Sequence, residues 1–400
     1  MLAGLALIAA LVQVAAPTAG RTEGRIAISG QRLALGMAHT CLINDQGAVR
    51  CFGYRLRGDA PVDLGPGRRA AALTAGDFHT CAILAAGTPD AGSVRCWGEN
   101  RFGQLGYGRT DDIASAEVAG AGPVELGPGR TAQALAAGSN FTCALLDDGA
   151  VRCWGGNSSG QLGVGNTTSV GDDEIPAVAP TVNLGGRRAV AIAAGGFHVC
   201  AVLADGALQC WGGNGTGELG HGDTYNVGAM DLPADRAPVR LGTDRTASAV
   251  EAGLGTTCAI LGGRGVGPGD VRCWGYGGQG ALGQGHDESI GDDESPASFP
   301  PVRLGEGRYA VALALGGYHS CALLDDGTVR CWGSNGRGEL GYFNTVPIGD
   351  AATPDQAGPV VMEERVVEIA AGGYHTCVLL KSGALRCWGP DDVGPLAESW

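Results

Sequence analysis

Fourteen cysteines and seven histidines hold most of the reactive side-chain chemistry of this 400-residue chain. The cysteines fall into seven successive pairs. They are Cys41 with Cys51, Cys81 with Cys96, Cys143 with Cys153, Cys200 with Cys210, Cys258 with Cys273, Cys321 with Cys331, and Cys377 with Cys387. Two residues before the first cysteine stands a histidine in five copies: His39, His79, His198, His319 and His375. Phe141 and Thr256 take that place in the other two. Two chemistries suit such a pattern. Thiolates and imidazoles together bind zinc, and paired cysteines form disulfides in an oxidising compartment. A Cys, Cys, His set lacks a fourth metal ligand, and two copies would lack the third. The even count, with no cysteine left over, favours disulfides.

A second group of candidates is acidic. Asp111 and Asp112, then Asp172, Asp173 and Glu174, then Asp292, Asp293 and Glu294, sit in polar loops between the cysteine pairs. Clustered carboxylates can hold calcium, so the last six are weak calcium candidates. Their spacing matches no EF-hand loop. The plainer reading is a solvated surface that keeps the protein soluble.

The elements that carry these residues read as short strands. "VAIAAG" (190–195) or "VALALG" (311–316) precedes each pair. "CAVL" or "CALL" follows, then a turn, then "AVRCWG" or "TVRCWG", a Gly-rich loop, and an extended "PTVNLG" or "PPVRLG". That is four Val-, Ile- and Leu-rich strands per copy, punctuated by Gly and Pro. In "CALLDDGAVRC", Asp147, Asp148 and Gly149 suit a type I turn with Gly left-handed. Counting outward, Leu146 faces Ala150 and Cys143 faces Cys153 on a non-hydrogen-bonded pair, which brings side chains closest. The five extra residues in the Cys81–Cys96 and Cys258–Cys273 copies fall at the hairpin tip, so the facing pair survives.

First cysteines recur every 40 residues (Cys41 to Cys81) to 63 residues (Cys258 to Cys321). A period of this size marks a repeat architecture rather than separate domains. The expected fold is all-β: a seven-bladed β-propeller of four-stranded antiparallel blades over residues 21–400. The last copy has no closing "PVRLG" strand, whereas "RIAIS" (25–29) is unmatched at the start. We expect Ile26–Ile28 to complete the blade of Cys377 and Cys387, removing an open edge.

The opening segment, "MLAGLALIAALVQVAAPTAG", is apolar and uncharged and ends in small residues. It reads as a secretory signal peptide, residues 1–20, cleaved near Ala16 to Gly20. Its apolar stretch is shorter than the ~20 residues a spanning helix needs. Secreted, periplasmic or cell-surface placement follows. The net charge of −14 argues against a nucleic-acid partner, because phosphate binding needs clustered Lys and Arg. The chain has a single lysine, Lys381; Arg dominance hints at a GC-rich, bacterial genome.

The motifs "HTCAIL", "VRCWGENRFGQLG" (94–106) and "VRCWGGNSSGQLG" (151–163) resemble the regulator of chromosome condensation (RCC) repeat family. The resemblance runs over roughly residues 25 to 390. It implies a seven-bladed propeller and structural histidines that bond nearby backbone. The "GDDE" loops look like those of secreted or surface bacterial members.

The tryptophans at one strand position (Trp97, Trp154, Trp211, Trp274, Trp332 and Trp388, with Phe52 in the first copy) read as packing between blades. Leu105, Leu162, Leu219, Leu282 and Leu340 read as packing plugs. The first copy has no Asn-x-x-Gly-x-Leu-Gly loop, so its blade is expected to carry a shorter loop.

No catalytic signature is present: no Gly-x-Ser-x-Gly, His-Glu-x-x-His or phosphate loop. Carboxylate pairs for glycoside hydrolysis are spatial and escape such a scan. The leading expectation is a monomeric secreted binding scaffold, without cofactor, whose loops recognise a protein or carbohydrate. A guanine-nucleotide exchange factor, the activity of the family's founding member, is one alternative. A secreted hydrolase acting on polysaccharide is the other.

Overall fold

The computed structural model describes residues 31–53, 61–263 and 269–390. The expected signal segment and the closing strand at 25–29 lie outside the described residues, as does the first copy's loop at 54–60. Seven three-stranded antiparallel sheets follow one another along the chain, each built from consecutive strands. The first comprises Leu33–Leu35, His39–Ile43 and Val49–Gly53. The second comprises Ala70–Ala75, His79–Leu84 and Val94–Gly98. The third has Ala132–Ala137, Phe141–Leu146 and Val151–Gly155. The fourth has Ala189–Ala194, His198–Leu203 and Leu208–Gly212. Arg245–Ala252, Thr256–Gly263 and Val271–Gly275 form the fifth, and Ala310–Leu315, His319–Leu324 and Val329–Gly333 the sixth. Val366–Ala371, Thr376–Leu380 and Leu385–Trp388 form the seventh.

The middle strands are buried at every residue, apart from Gly262 and Gly263 at the end of the fifth. A sheet packed on both faces has no solvent side, so its central strand reads as an unbroken apolar run and not as an alternation. "CALL" is that run. Most of the core is one continuous cluster; a second, smaller one joins Leu33, Leu35 and Leu42 of the first sheet to Cys377, Leu379 and Leu385 of the seventh.

The hairpins take the expected register. Cys143 lies opposite Cys153, and the Leu146 N–H donates to Ala150 O across a turn whose Gly149 has φ 82°. In the long-tipped copies Cys81 still faces Cys96, and Cys258 faces Cys273. All fourteen sulfurs are joined in the seven expected pairs, with no free cysteine. Cα separations are 4.0–4.1 Å, the close approach of a non-hydrogen-bonded pair.

The expected fourth strand takes a different form. The Pro-Val-x-Leu segments make no ladder. Each keeps one backbone bond to the start of the third strand: Val62 N to Val49 O, Val124 to Val94, Val182 to Val151, Val239 to Leu208, Val302 to Val271 and Val360 to Val329. Proline before the valine, in all copies but Thr181, removes the donor a ladder would need. The buried valine and the buried leucine two residues on supply the hold instead, with half-buried Met362 in the leucine's place after Val360. No helix among the described residues is long and apolar enough to cross a membrane.

Candidate binding face and shared cavity

In each antiparallel sheet the turn from the first to the middle strand lies at the same end as the loop leaving the third strand. The hairpin tip lies at the other. The two ends differ in chemistry. The tip end is lined with ion pairs: Arg130 with Asp147 and Asp148, Arg187 with Asp205, Arg308 with Asp325 and Asp326, and Arg68 with Asp90. The turn end carries aromatic side chains. Phe78, Phe197 and Tyr318 precede the buried histidines and are 36%, 44% and 37% exposed; Phe102, on the second copy's loop, is 40% exposed. Tyr276 packs edge-on against Tyr318 with centroids 5.4 Å apart, and the Arg337 guanidinium stacks 4.3 Å over Tyr374.

The loops at this end are built to hold still. Asn100 Oδ1 accepts the Leu105 N–H, and Asn157, Asn214 and Asn335 do the same for Leu162, Leu219 and Leu340. The plug leucines are fully buried. The carbonyl just before the plug accepts the indole N–H of the next sheet: Trp154 donates to Gln104 O, Trp211 to Gln161 O, Trp274 to Glu218 O, Trp332 to Ala281 O and Trp388 to Glu339 O. The tryptophans are therefore hydrogen-bonded ties as well as packing.

The histidines form the second tie. Nε2 of His39 lies 2.9 Å from Thr80 Oγ1. His79 meets Thr142, His198 meets Thr257, and His319 meets Thr376, at 2.8–2.9 Å. His375 of the seventh sheet returns to Thr40 of the first. The expected partner was nearby backbone, and His39 does bond the backbone of Asp77; the structure adds a threonine hydroxyl on the next sheet for each Nε2. Thr142, Thr257 and Thr376 donate their own protons to Gln104 O, Glu218 O and Glu339 O. Their oxygens must then accept from histidine, which places the proton of His79, His198 and His319 on Nε2. Burial holds all five rings neutral, pulling His39, His198 and His319 down to about 4 and His79 and His375 to about 3. Every sulfur is in a disulfide and each Nε2 meets a hydroxyl, which leaves no thiolate in these copies.

The two copies without histidine are matched on the neighbouring sheet. After Phe141 the fourth sheet carries Val199 where threonine usually stands, both fully buried. After Thr256 the sixth sheet carries Ser320.

The acidic loops are also brought together locally. Carboxylate oxygens of Asp172, Asp173 and Glu174 lie within 4.8 Å of one another, as do those of Asp292, Asp293 and Glu294. Burial and the neighbouring aspartates raise the Glu174 and Glu294 carboxyls above their usual range. Three carboxylates fall short of the six to eight oxygens calcium takes, and Glu294 already accepts the Gly291 N–H. The loops have a packing role: Arg109 N donates to Gly171 O and Gly222 N to Gly291 O, seating each on the preceding copy's loop.

One cavity is shared by all seven sheets. Its walls come from the first strands and the turns that follow them, including Ala34, Thr74, Ala136, Ala193, Glu251, Ala314 and Ala370, with Tyr318 and Tyr374 among its lining. These seven residues are equivalent, since each pairs with the first cysteine of its sheet. Sequence reading passed over Glu251, because one carboxylate in one copy of a degenerate repeat gives no local signal.

Seven all-β units of this pattern, tied by the tryptophan loops, define a repeat protein of the propeller type. The regulator of chromosome condensation (RCC1) repeat matches residues 91–145, 148–202, 268–323 and 326–379, and a second form of it matches 71–104, 132–161, 189–218, 310–339 and 366–394. The chain belongs to this family. The ultraviolet-B receptor UVR8 of Arabidopsis thaliana is 28% identical over 334 residues, covering 82% of this chain and 67% of that protein. The E3 ubiquitin-protein ligase HERC2 of Homo sapiens, 28% identical over 311 residues, is far longer: the match covers 77% of this chain and 6% of that protein. Among solved structures, human WBSCR16 aligns with a TM-score of 0.67 at 22% identity, covering 88% of this chain and 87% of its own. Prp20p of Saccharomyces cerevisiae, described with its binding to Gsp1p and histones, aligns with a TM-score of 0.64 at 19% identity over 85% and 80%.

Proposed function

We propose that this protein is a secreted or surface-exposed binding scaffold that recognises a protein partner through its turn end. The observation that carries the reading is the gathering of part-exposed aromatics there. Phe78, Phe102, Phe197 and Tyr318 stand on turns and loops locked by buried asparagine, leucine and histidine. Part-exposed aromatics on a rigid frame are what interface hot spots are made of, and rigid loops order little on binding. Prp20p, with its named protein partners, is a relative by fold that works by protein contact.

In this reading the blades are four-stranded, each Pro-Val-x-Leu segment serving as a reduced outer strand, and the ring is closed. Support for closure comes from the Thr40–His375 bond, Gly373 N donating to Gly36 O, and Glu368 accepting the N–H groups of Arg32 and Leu33. Seven disulfides in 400 residues support an oxidising compartment, in keeping with a signal peptide at residues 1–20.

The test is capture from native culture fluid with three immobilised proteins. They are the wild type, a turn-end variant (Phe102→Ala, Phe197→Ala, Tyr318→Ala) and a tip-end variant (Arg130→Ala, Arg308→Ala). One stoichiometric partner should appear with the wild type and the tip-end variant and vanish with the turn-end variant. Equal capture by all three overturns the assignment of the face. Glycan hydrolysis by the purified protein overturns the scaffold reading itself.

A further inference from the structure

The shared cavity has a chemical asymmetry that the scaffold role does not need. Of its seven equivalent wall positions, five are alanine and one is Thr74; the seventh is Glu251. Burying a carboxyl group among alanine, leucine and isoleucine is costly unless something compensates it. Among the described lining residues there is no Lys, Arg or His. The other titratable side chains on the wall are Asp77, Tyr318 and Tyr374. Asp77 is itself raised by burial, opposed by a bond from the Ser139 side chain and reinforced by Glu99. Glu251 has no hydrogen-bond partner of this kind among the described residues, and it is half-buried on the cavity wall. Burial pushes its carboxyl up to about 8.

We propose that the shared cavity is a binding site for an organic ammonium ion, with Glu251 as its counter-charge. The wall chemistry selects this class. The cavity is about 180 Å³, room for about six waters at ~30 Å³ each. Alanine, leucine and isoleucine walls suit the alkyl part of an amine. A divalent metal takes several anionic oxygen ligands, whereas Glu251 and Asp77 are the carboxylates among the described lining residues. Tyr318 adds an aromatic ring, which attracts cations, whereas Tyr374 already carries the Arg337 guanidinium over its face. The ammonium can arrive as a free small amine or as the tip of a partner's lysine; the site is the same for both. It adjoins the protein-binding face proposed above, with Tyr318 common to both, but its wall is made by the first strands and a free amine there needs no macromolecular partner.

The probes are n-butylammonium for the free amine, Nα-acetyl-lysine-N-methylamide for the side chain, and n-butanol as the uncharged control. Each is titrated calorimetrically at pH 7 into the full protein, in two buffers of different ionisation enthalpy. An amine should bind and n-butanol should not. Glu251, protonated before binding, releases close to one proton as it pairs. Glu251→Gln should weaken binding by at least about tenfold, with Asp77→Asn weakening it less. Should Glu251→Gln misfold, Glu251→Thr and Glu251→Ala place the residues found at equivalent positions in the other sheets. Binding of butylammonium alone identifies a free amine as the ligand, and binding of the lysine analogue a partner side chain. No saturation by either amine at tens of millimolar, or equal affinity in the Glu251 variants, overturns the proposal.

Discussion

His375 Nε2 lies 2.9 Å from Thr40 Oγ1, although 335 residues separate them. The same bond recurs between four other pairs of neighbouring sheets. Thr40→Val should leave the buried His375 nitrogen unpaired and destabilise by about 1–3 kcal/mol. His375→Phe together with Thr40→Val copies the Phe141 and Val199 arrangement already present. The double variant should recover most of the loss. Urea unfolding of the two single variants and the double closes the cycle, and strict additivity would falsify the coupling.

Acid should unfold the protein through these rings. An unfolded histidine titrates near 6.5, whereas the five buried rings are held at about 3 to 4. Below 6.5 the unfolded chain binds more protons, so their contribution is present above 6.5 and falls as pH drops toward 4. Glu251 works in the opposite sense. Its folded value of about 8 lies above its ordinary value of 4.5, so stability declines as pH rises from 4.5 to 8. Melting temperature against pH should show the first trend weakened in His319→Phe and the second weakened in Glu251→Gln, with the other raised carboxyls, Asp77, Glu174, Glu294 and Glu368, keeping the remainder.

Each disulfide closes a short hairpin, which limits its effect. Replacing Cys143 and Cys153 with alanine should cost about 2–3 kcal/mol by the loop-entropy argument. Denatured protein without reductant should contain no free thiol by colorimetric titration. Detectable thiol in the native protein would contradict the pairing.

Phe343 has φ +57° and is 91% exposed, at a loop position that is Gly108, Gly165, Gly222 and Gly285 in four other copies. A bulky residue held left-handed stores on the order of 1 kcal/mol. Phe343→Gly should therefore raise stability by about that amount in thermal unfolding. If Phe343 serves the partner, the same variant should show faster dissociation in surface binding. A destabilised Phe343→Gly would mean that the backbone there is not strained.

Trp154 donates its indole N–H to Gln104 O. Trp154→Phe keeps most of the packing and removes that bond, at an expected cost of about 1–3 kcal/mol. Phe52, already lacking the indole N–H at this position, should tolerate Phe52→Leu far better. Parallel denaturation curves of the two variants decide it.

What the sequence determined by itself is local. The facing of Cys143 and Cys153 depends on a three-residue turn and the two-residue period of a strand, both contained within eleven residues. Seven copies of that hairpin make the repeat, the family and an all-β fold legible without coordinates. The rest depends on contacts across sheets. The threonine that satisfies each histidine lies on the next sheet, 41 residues away at the least. A segment that looks like a fourth strand holds by one bond, because the ladder depends on the neighbouring strand and on a proline N–H that does not exist. Glu251 differs from Ala34, Ala136 and Ala193 only as one letter in a variable copy. Its meaning comes from seven first strands converging on one space, where burial, with no Lys, Arg or His among the described lining residues, changes what a carboxyl group can do.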